Sequence, residues 1–253
     1  MFAGTYTALV TPFHKGRVDE GAFQKLISDQ VRGGVDGIVP VGTTGESPTL
    51  GFDEHIRVIE LAVRAAKGRV KVLAGTGANA TAEAVHLTQA AEAVGADGSL
   101  QVAPYYNKPS QEGLFQHFKK IARATKLPII LYSIPGRCNI AIEVPTVQRL
   151  AKACKNIVGI KEAGGDADRV SQLRAAIGQR FTILSGDDAL TLPFMAVGAE
   201  GVISVASNII PRQITRMVNA FTAGNADAAL RLHQKSYPLF KHLFIETNPL
   251  PTK

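Results

Sequence analysis

Short apolar runs rich in β-branched residues recur along this chain, separated by longer stretches in which apolar positions return every three or four residues. The runs are TYTALVTP (5–12), GIVPVG (37–42), KVLAGTG (71–77), GSLQVAP (98–104), PIILYSIP (128–135), VGIKEA (158–163), FTILSGD (181–187) and GVISVASN (201–208). Near-continuous apolar runs of this length predict parallel strands covered on both faces. The stretches between them, such as AFQKLISDQVRGG, EHIRVIELAVRAAKG and TAEAVHLTQAAEAVG, predict amphipathic helices, commonly closed by glycine. Eight βα units over about 220 residues match a closed (β/α)8 TIM barrel better than an open doubly wound sheet.

After an eighth helix around 211–223 comes another helical pattern, NADAALRLHQKSYPLFKHLF, and then the proline-rich, turn-like ETNPLPTK. The expected organisation is a catalytic α/β barrel over 1–223 and a short, truncated C-terminal helical region over 224–253. No interior linker interrupts the pattern. A barrel also says where to look for chemistry, because functional side chains gather at the C-terminal ends of its strands and in the loops that follow.

Composition narrows the class. The chain has 253 residues, 45% of them hydrophobic, enough for one large core. The net charge of +7 raises the question of a nucleic-acid partner. The basic residues are dispersed, however, and the densest stretch, HFKKIAR, falls on a helical pattern whose ordinary role is a solvated face. No recognition motif accompanies the charge, so attraction of small anionic substrates is the preferred use and no nucleic-acid partner is expected. The two cysteines, Cys138 and Cys154, lack metal-ligand spacing, which favours a reducing cytoplasm over a disulfide scaffold. The opening MFAGTYTALVTPF has no basic segment before a long apolar one, so a leader is not expected. No run reaches the roughly 18 apolar residues of a membrane span.

Lys161 is the oddest residue of the pattern, an ammonium inside the sixth strand. Two readings fit: a lysine paired with a carboxylate in a polar barrel layer, or a Schiff-base nucleophile whose amine is held partly neutral by desolvation. Glu162 should face the other way on the pleat. GTTGES (42–47) after the second strand offers Thr43 and Thr44, as ligand-binding groups or as simple helix caps. It lacks the Gly-Lys-Ser/Thr ending of a phosphate loop. PYYNKP (104–109) places Tyr105 and Tyr106 between prolines, either as packing or as a polar aromatic platform. LYSIPGR (131–137) brings Tyr132 and Arg137 toward the mouth, where a guanidinium can clasp a carboxylate. In SGDD (185–188), Asp187 and Asp188 read as turn caps rather than metal ligands. The six histidines are scattered, and no metal site is expected.

GTTGE, PYYNKP, YSIPGR, the GIKEA lysine and SGDD occur here in the order and spacing of the dihydrodipicolinate synthase family, within the pyruvate-dependent aldolase and N-acetylneuraminate lyase superfamily. The resemblance covers essentially the whole chain. It implies a lyase of lysine and diaminopimelate biosynthesis that joins pyruvate to aspartate semialdehyde through an imine on Lys161, with no metal and no organic cofactor. It further implies that Tyr132, Thr44 and Tyr106 relay protons, Tyr106 reaching in from a neighbouring subunit of a homodimer or homotetramer. Arg137 would bind the semialdehyde carboxylate, and Thr43, Thr44 and main-chain groups near Gly186 and Ile203 would seat the pyruvate-derived moiety. An allosteric lysine site would involve Ser47, His55, Asn79, Glu83 and Tyr105; Pro48 and Phe52 depart from lysine-sensitive patterns, so weakened inhibition is expected. The neighbouring alternatives are an N-acetylneuraminate or 2-keto-3-deoxy-acid lyase, against which Arg137 argues, and a non-catalytic binding paralogue. Family members continue past NPLPTK with further helices, which leads to the expectation of exposed apolar surface on the helix around 225–236.

Overall fold

In the computed structural model, which describes residues 2–253, eight parallel strands close into a barrel. They are β1 (Gly4–Ala8), β2 (Gly37–Val39), β3 (Lys71–Gly75), β4 (Gly98–Val102), β5 (Ile129–Ser133), β6 (Ile157–Glu162), β7 (Thr182–Ser185) and β8 (Gly201–Ser204). Each strand pairs with its neighbours in sequence, and β1 pairs with both β2 and β8. A minor hairpin, Phe13–His14 with Arg17–Val18, lies in the first loop.

Every strand stops before the end of its apolar run. The last residues of each run leave the ladder for the loops at the mouth, where side chains and turns take over the hydrogen bonding. The pleat divides each strand between two cores. Tyr6, Ala8, Val39, Leu73, Leu100, Ile130, Tyr132, Leu184 and Ile203 fill the barrel interior. Their alternates, such as Ile129, Leu131, Ile160, Ile183 and Val202, pack outward beneath the helices.

The helices are α1 (Glu20–Gly33), α2 (Phe52–Ala66), α3 (Thr81–Ala93), α4 (Gln111–Arg123), the short α5 (Pro135–Cys138), α6 (Val144–Ala153), α7 (Ala167–Ile177), α8 (Thr191–Ala196), α9 (Pro211–Thr222) and α10 (Ala226–His242). Local chemistry sets their limits. Asp19 and Ser110 cap α1 and α4 by accepting from Ala22 and Gly113 amides, and Gly34 ends α1 with φ of 81°. On α4, Leu114, Phe115, Phe118, Ile121 and Ala122 are buried while Lys120 and Arg123 stay exposed, so HFKKIAR is indeed a helix with a solvated basic face.

The seam between β1 and β8 is made by Gly4 opposite Gly201. Gly201 has φ of 147°, and a Cβ there would lie 1.9 Å from the Gly4 carbonyl oxygen. No side chain fits at that approach.

Past the barrel, α10 packs on α9 and buries Ala229, Ser236 and Phe240. Leu230 is exposed within the stretch 225–236 where apolar surface is expected, and Tyr237, Phe244 and Ile245 are exposed beyond it. The segment that follows folds back across the mouth of the barrel, which its turn-like composition does not reveal.

Candidate active site

Lys161 lies near the C-terminal end of β6, opposite Tyr132 of β5 in register. Because Tyr132 points inward, so does its ladder neighbour. The lysine is only 6% exposed, and its Nζ stands 4.2 Å from the centre of the Tyr132 ring. Burial pulls its pKa down to about 7; the Asp188 carboxylate opposes that shift, and the Arg137 guanidinium adds to it. Among the described residues no carboxylate forms an ion pair with Lys161, so the paired-lysine reading fails. At neutral pH a substantial fraction of this amine is free and nucleophilic.

Glu162 does turn to the other face. It is fully buried behind the strand, where Arg169 Nε of α7 donates to its Oε2 at 2.7 Å and the Gly164 amide to its Oε1 at 2.7 Å. Arg169 also donates to the Ile142 carbonyl, in the loop that follows α5. Burial raises the Glu162 pKa, with Arg169 acting against the rise. The network fastens the strand carrying Lys161 to the loop downstream of Arg137.

The tyrosine phenol of Tyr132 is held protonated. Burial raises its pKa; the Arg137 charge and a hydrogen bond with the Thr43 side chain work the other way. Thr43 lines the same small cavity as Tyr132. In the turn at 42–47, Gly45, Glu46 and Ser47 amides donate back to Gly42, Thr43 and Gly42 carbonyls. That winding sends the two threonine hydroxyls different ways. Thr44 is buried, and its Oγ1 accepts from Asn248 Nδ2 at 2.9 Å.

Arg137 sits on α5 at the mouth, and its Nη2 donates to the Asn248 carbonyl at 3.0 Å. Beside it opens a recess of about 580 Å³ lined by Ile134, Gly136, Ala163 and residues 244–248. Gly186 sits against Lys161: a Cβ there would come within 3.0 Å of Lys161 Cε and 2.6 Å of Ala163 Cβ. Ile203 lies fully buried on the barrel wall.

Asp187 closes a local turn as expected, whereas Asp188 caps nothing nearby and reaches the loop after β8. Asp187 Oδ1 accepts from the Ala189 amide, while the Asp188 carboxylate accepts from Val205 and Ala206 amides and the Ser204 hydroxyl. Asp188 has a second effect that sequence reasoning did not find, since it is the carboxylate whose field acts on Lys161. Asn248 was missed altogether.

Tyr106 is not drawn into this chain's barrel; it is 90% exposed, with φ of 72°. Such a backbone is uncommon for an aromatic residue. Of the residues assigned to a lysine site, Asn79 Nδ2 donates to the Tyr105 carbonyl at 3.3 Å and the Glu83 charge bears on the Tyr105 phenol. His55 lies deeper, buried, with Nε2 2.8 Å from the Gly75 carbonyl oxygen. Ser47 opens the short turn at 47–49, on the rim of the small cavity shared by Thr43 and Tyr132. Among the described residues there is no group of three or more His, Cys, Asp or Glu side chains fit to hold a metal ion.

Comparison with known proteins places this geometry. The dihydrodipicolinate synthetase family matches over residues 1–253. The 4-hydroxy-tetrahydrodipicolinate synthase of Endomicrobium trichonymphae is 54% identical over 253 residues, which is all of this chain and 87% of that protein. The structure of the 4-hydroxy-tetrahydrodipicolinate synthase from Methylacidiphilum fumariolicum SolV superposes with a TM-score of 0.99 at 57% identity, covering 100% of this chain and 84% of that one. A lysine-bound dihydrodipicolinate synthase from Cyanidioschyzon merolae gives 0.95 at 43% identity, covering 98% of this chain and 85% of that one.

Proposed function

Because the chain belongs to the dihydrodipicolinate synthetase family, we propose that its barrel mouth joins pyruvate to L-aspartate 4-semialdehyde, giving 4-hydroxy-tetrahydrodipicolinate on the diaminopimelate route to lysine. The observation that carries the chemistry is Lys161, a buried amine with a pKa near 7 at the catalytic end of a barrel strand. Its Nζ attacks the pyruvate carbonyl carbon and water leaves, forming an imine. Removal of a methyl proton gives an enamine, whose carbon attacks the semialdehyde carbonyl while the aldehyde oxygen takes up a proton. The amine of the semialdehyde portion then displaces Lys161 from the imine carbon, which closes the ring and returns the free lysine.

The remaining roles follow from chemistry and position. Tyr132, kept as a phenol, and Thr44 hand protons to and from the enamine. Tyr106, exposed in its own chain, completes the relay in a neighbouring subunit of a dimer or tetramer. Arg137 takes the semialdehyde carboxylate, and Thr43 with main-chain groups at Gly186 and Ile203 seats the pyruvate moiety. The cycle needs no metal or organic cofactor, only the covalent imine. Lysine is the regulator this reading assigns to Asn79, Glu83, Tyr105, Ser47 and His55, and the compartment is the cytoplasm. No helix among the described residues is long and apolar enough to cross a membrane.

The deciding assay supplies pyruvate and aspartate semialdehyde, with and without lysine, and follows ring formation. Turnover of pyruvate with an N-acylated hexosamine instead of the semialdehyde would overturn the substrate assignment. In the same assay Arg137→Ala should raise the KM for the semialdehyde about 10²-fold, the worth of a charge-assisted pair, while pyruvate still forms its imine.

Borohydride trapping tests the lysine itself. Only the free amine attacks, so the trapping rate should climb through about pH 7 and level off above it. Asp188 holds the Lys161 pKa up, so Asp188→Asn should move that midpoint to lower pH. A midpoint near the ordinary lysine value would contradict the desolvation argument.

A further inference from the structure

The segment after α10 contributes one inward-facing polar side chain to the mouth of the barrel. Phe244 to Thr247 are exposed, and then Asn248 is only 5% exposed. Its Nδ2 donates to Thr44 Oγ1 at 2.9 Å, its main-chain carbonyl accepts from Arg137 Nη2 at 3.0 Å, and its Oδ1 faces the Thr252 hydroxyl at 3.4 Å. One residue thus ties the loop after β2 to the helix after β5.

We infer that Asn248 is a positioning residue for the proton relay, fixing the direction in which the Thr44 hydroxyl donates. The inference rests on the reading of Thr44 as a relay group given above. A threonine hydroxyl has one hydrogen and two lone pairs. With one lone pair filled by the Asn248 amide, Thr44 cannot turn its own hydrogen toward Asn248, because two donors would face each other. Its hydrogen is directed away, into the mouth, so that Thr44 is presented there as a donor. The Arg137 link depends on the Asn248 carbonyl and not on its side chain. Truncating the side chain therefore separates the two functions.

The test uses Asn248→Ala, Asn248→Asp, Thr44→Val and the Asn248→Ala/Thr44→Val double variant. Three readouts are taken: borohydride trapping of pyruvate, exchange of pyruvate methyl protons in D2O by NMR, and turnover with both substrates. Asn248→Ala should slow proton exchange and turnover about fivefold to tenfold, the worth of one neutral hydrogen bond. Trapping at saturating pyruvate and the KM for the semialdehyde should stay within about twofold of the parent. Asn248→Asp keeps the shape but replaces the donor by an acceptor, and should be at least as slow. In the Thr44→Val background, loss of the Asn248 amide should cost nothing further. An Asn248→Asp variant as fast as the parent, or an Asn248→Ala cost that persists in full without the Thr44 hydroxyl, would overturn the inference. Should Asn248→Ala fail to fold, as judged by its melting temperature, the near-isosteric Asn248→Asp decides the matter by itself. A parent chain that exchanges pyruvate protons yet condenses no semialdehyde would overturn the substrate assignment and leave this inference to the exchange data.

Discussion

Lys161→Met should abolish pyruvate trapping and lower turnover by about 10⁴- to 10⁶-fold, because Lys161 is the one buried lysine among the described residues and so the one whose amine desolvation keeps neutral inside the barrel. The same substitution should make the fold more stable, and the pH dependence of that gain identifies its cause. In the folded chain Lys161 titrates at about 7, against an ordinary 10.5. Between those values the unfolded chain binds the extra proton, so the parent gains stability as pH rises through the window. Below pH 7 both states are protonated and the full cost of a buried ammonium is present. Melting curves of the variant should therefore exceed the parent by on the order of a few kcal/mol near pH 6, with the difference closing toward pH 10.5. A constant difference across that range would mean that packing, and not charge, sets it. A stability gain coupled to lost activity is what a strained catalytic group produces.

Arg169→Ala should destabilise the protein by roughly 3–5 kcal/mol, as expected when one partner of a buried ion pair is removed. Glu162 would stay fully buried with the Gly164 amide as its remaining donor, and the Ile142 carbonyl would lose its partner. The deficit should be largest at neutral and high pH. Burial already raises the Glu162 pKa, and without Arg169 it rises further, so acidification neutralises the carboxyl and recovers part of the loss. Thermal unfolding from pH 4 to 8 measures this directly. Replacing both partners with apolar residues of similar volume should be far milder than removing either one. Activity should fall along with stability in Arg169→Ala, since this network anchors the strand of Lys161 to the loop behind Arg137.

The barrel was legible because its repeat is strong. Eight β-rich runs alternating with helical stretches leave few other folds, and glycine closing helices such as α1 marks their ends. Lys161 was legible for a related reason, as a cation where the pattern demands an apolar residue. Tyr132 and Arg137 followed from their place at the end of a strand. What the pattern could not show were partnerships across long separations. Thr43 and Thr44 are adjacent and chemically alike, and only the winding of the 42–47 turn decides which one meets Asn248. Asp188 reads locally as a cap, yet its carboxylate bonds the loop after β8; its influence on Lys161 comes from the curvature that brings β6, β7 and β8 around a common interior. Asn248 sits among exposed residues in a segment without periodicity, and no local signal marks it as buried.

The glycine seam has a consequence in time. Gly4 is made long before its partner Gly201, which follows only after seven of the eight strands have been made. Until β8 arrives, the nascent sheet carries unpaired edges at β1 and β7, the kind of surface that recruits foreign strands. Parallel pairing across so long a loop is also intrinsically slow, because the entropy of closure precedes the reward. The absence of a side chain on either glycine removes any steric selection at that final step. No rotamer has to be ordered at that contact before the two backbones meet and the open edges disappear.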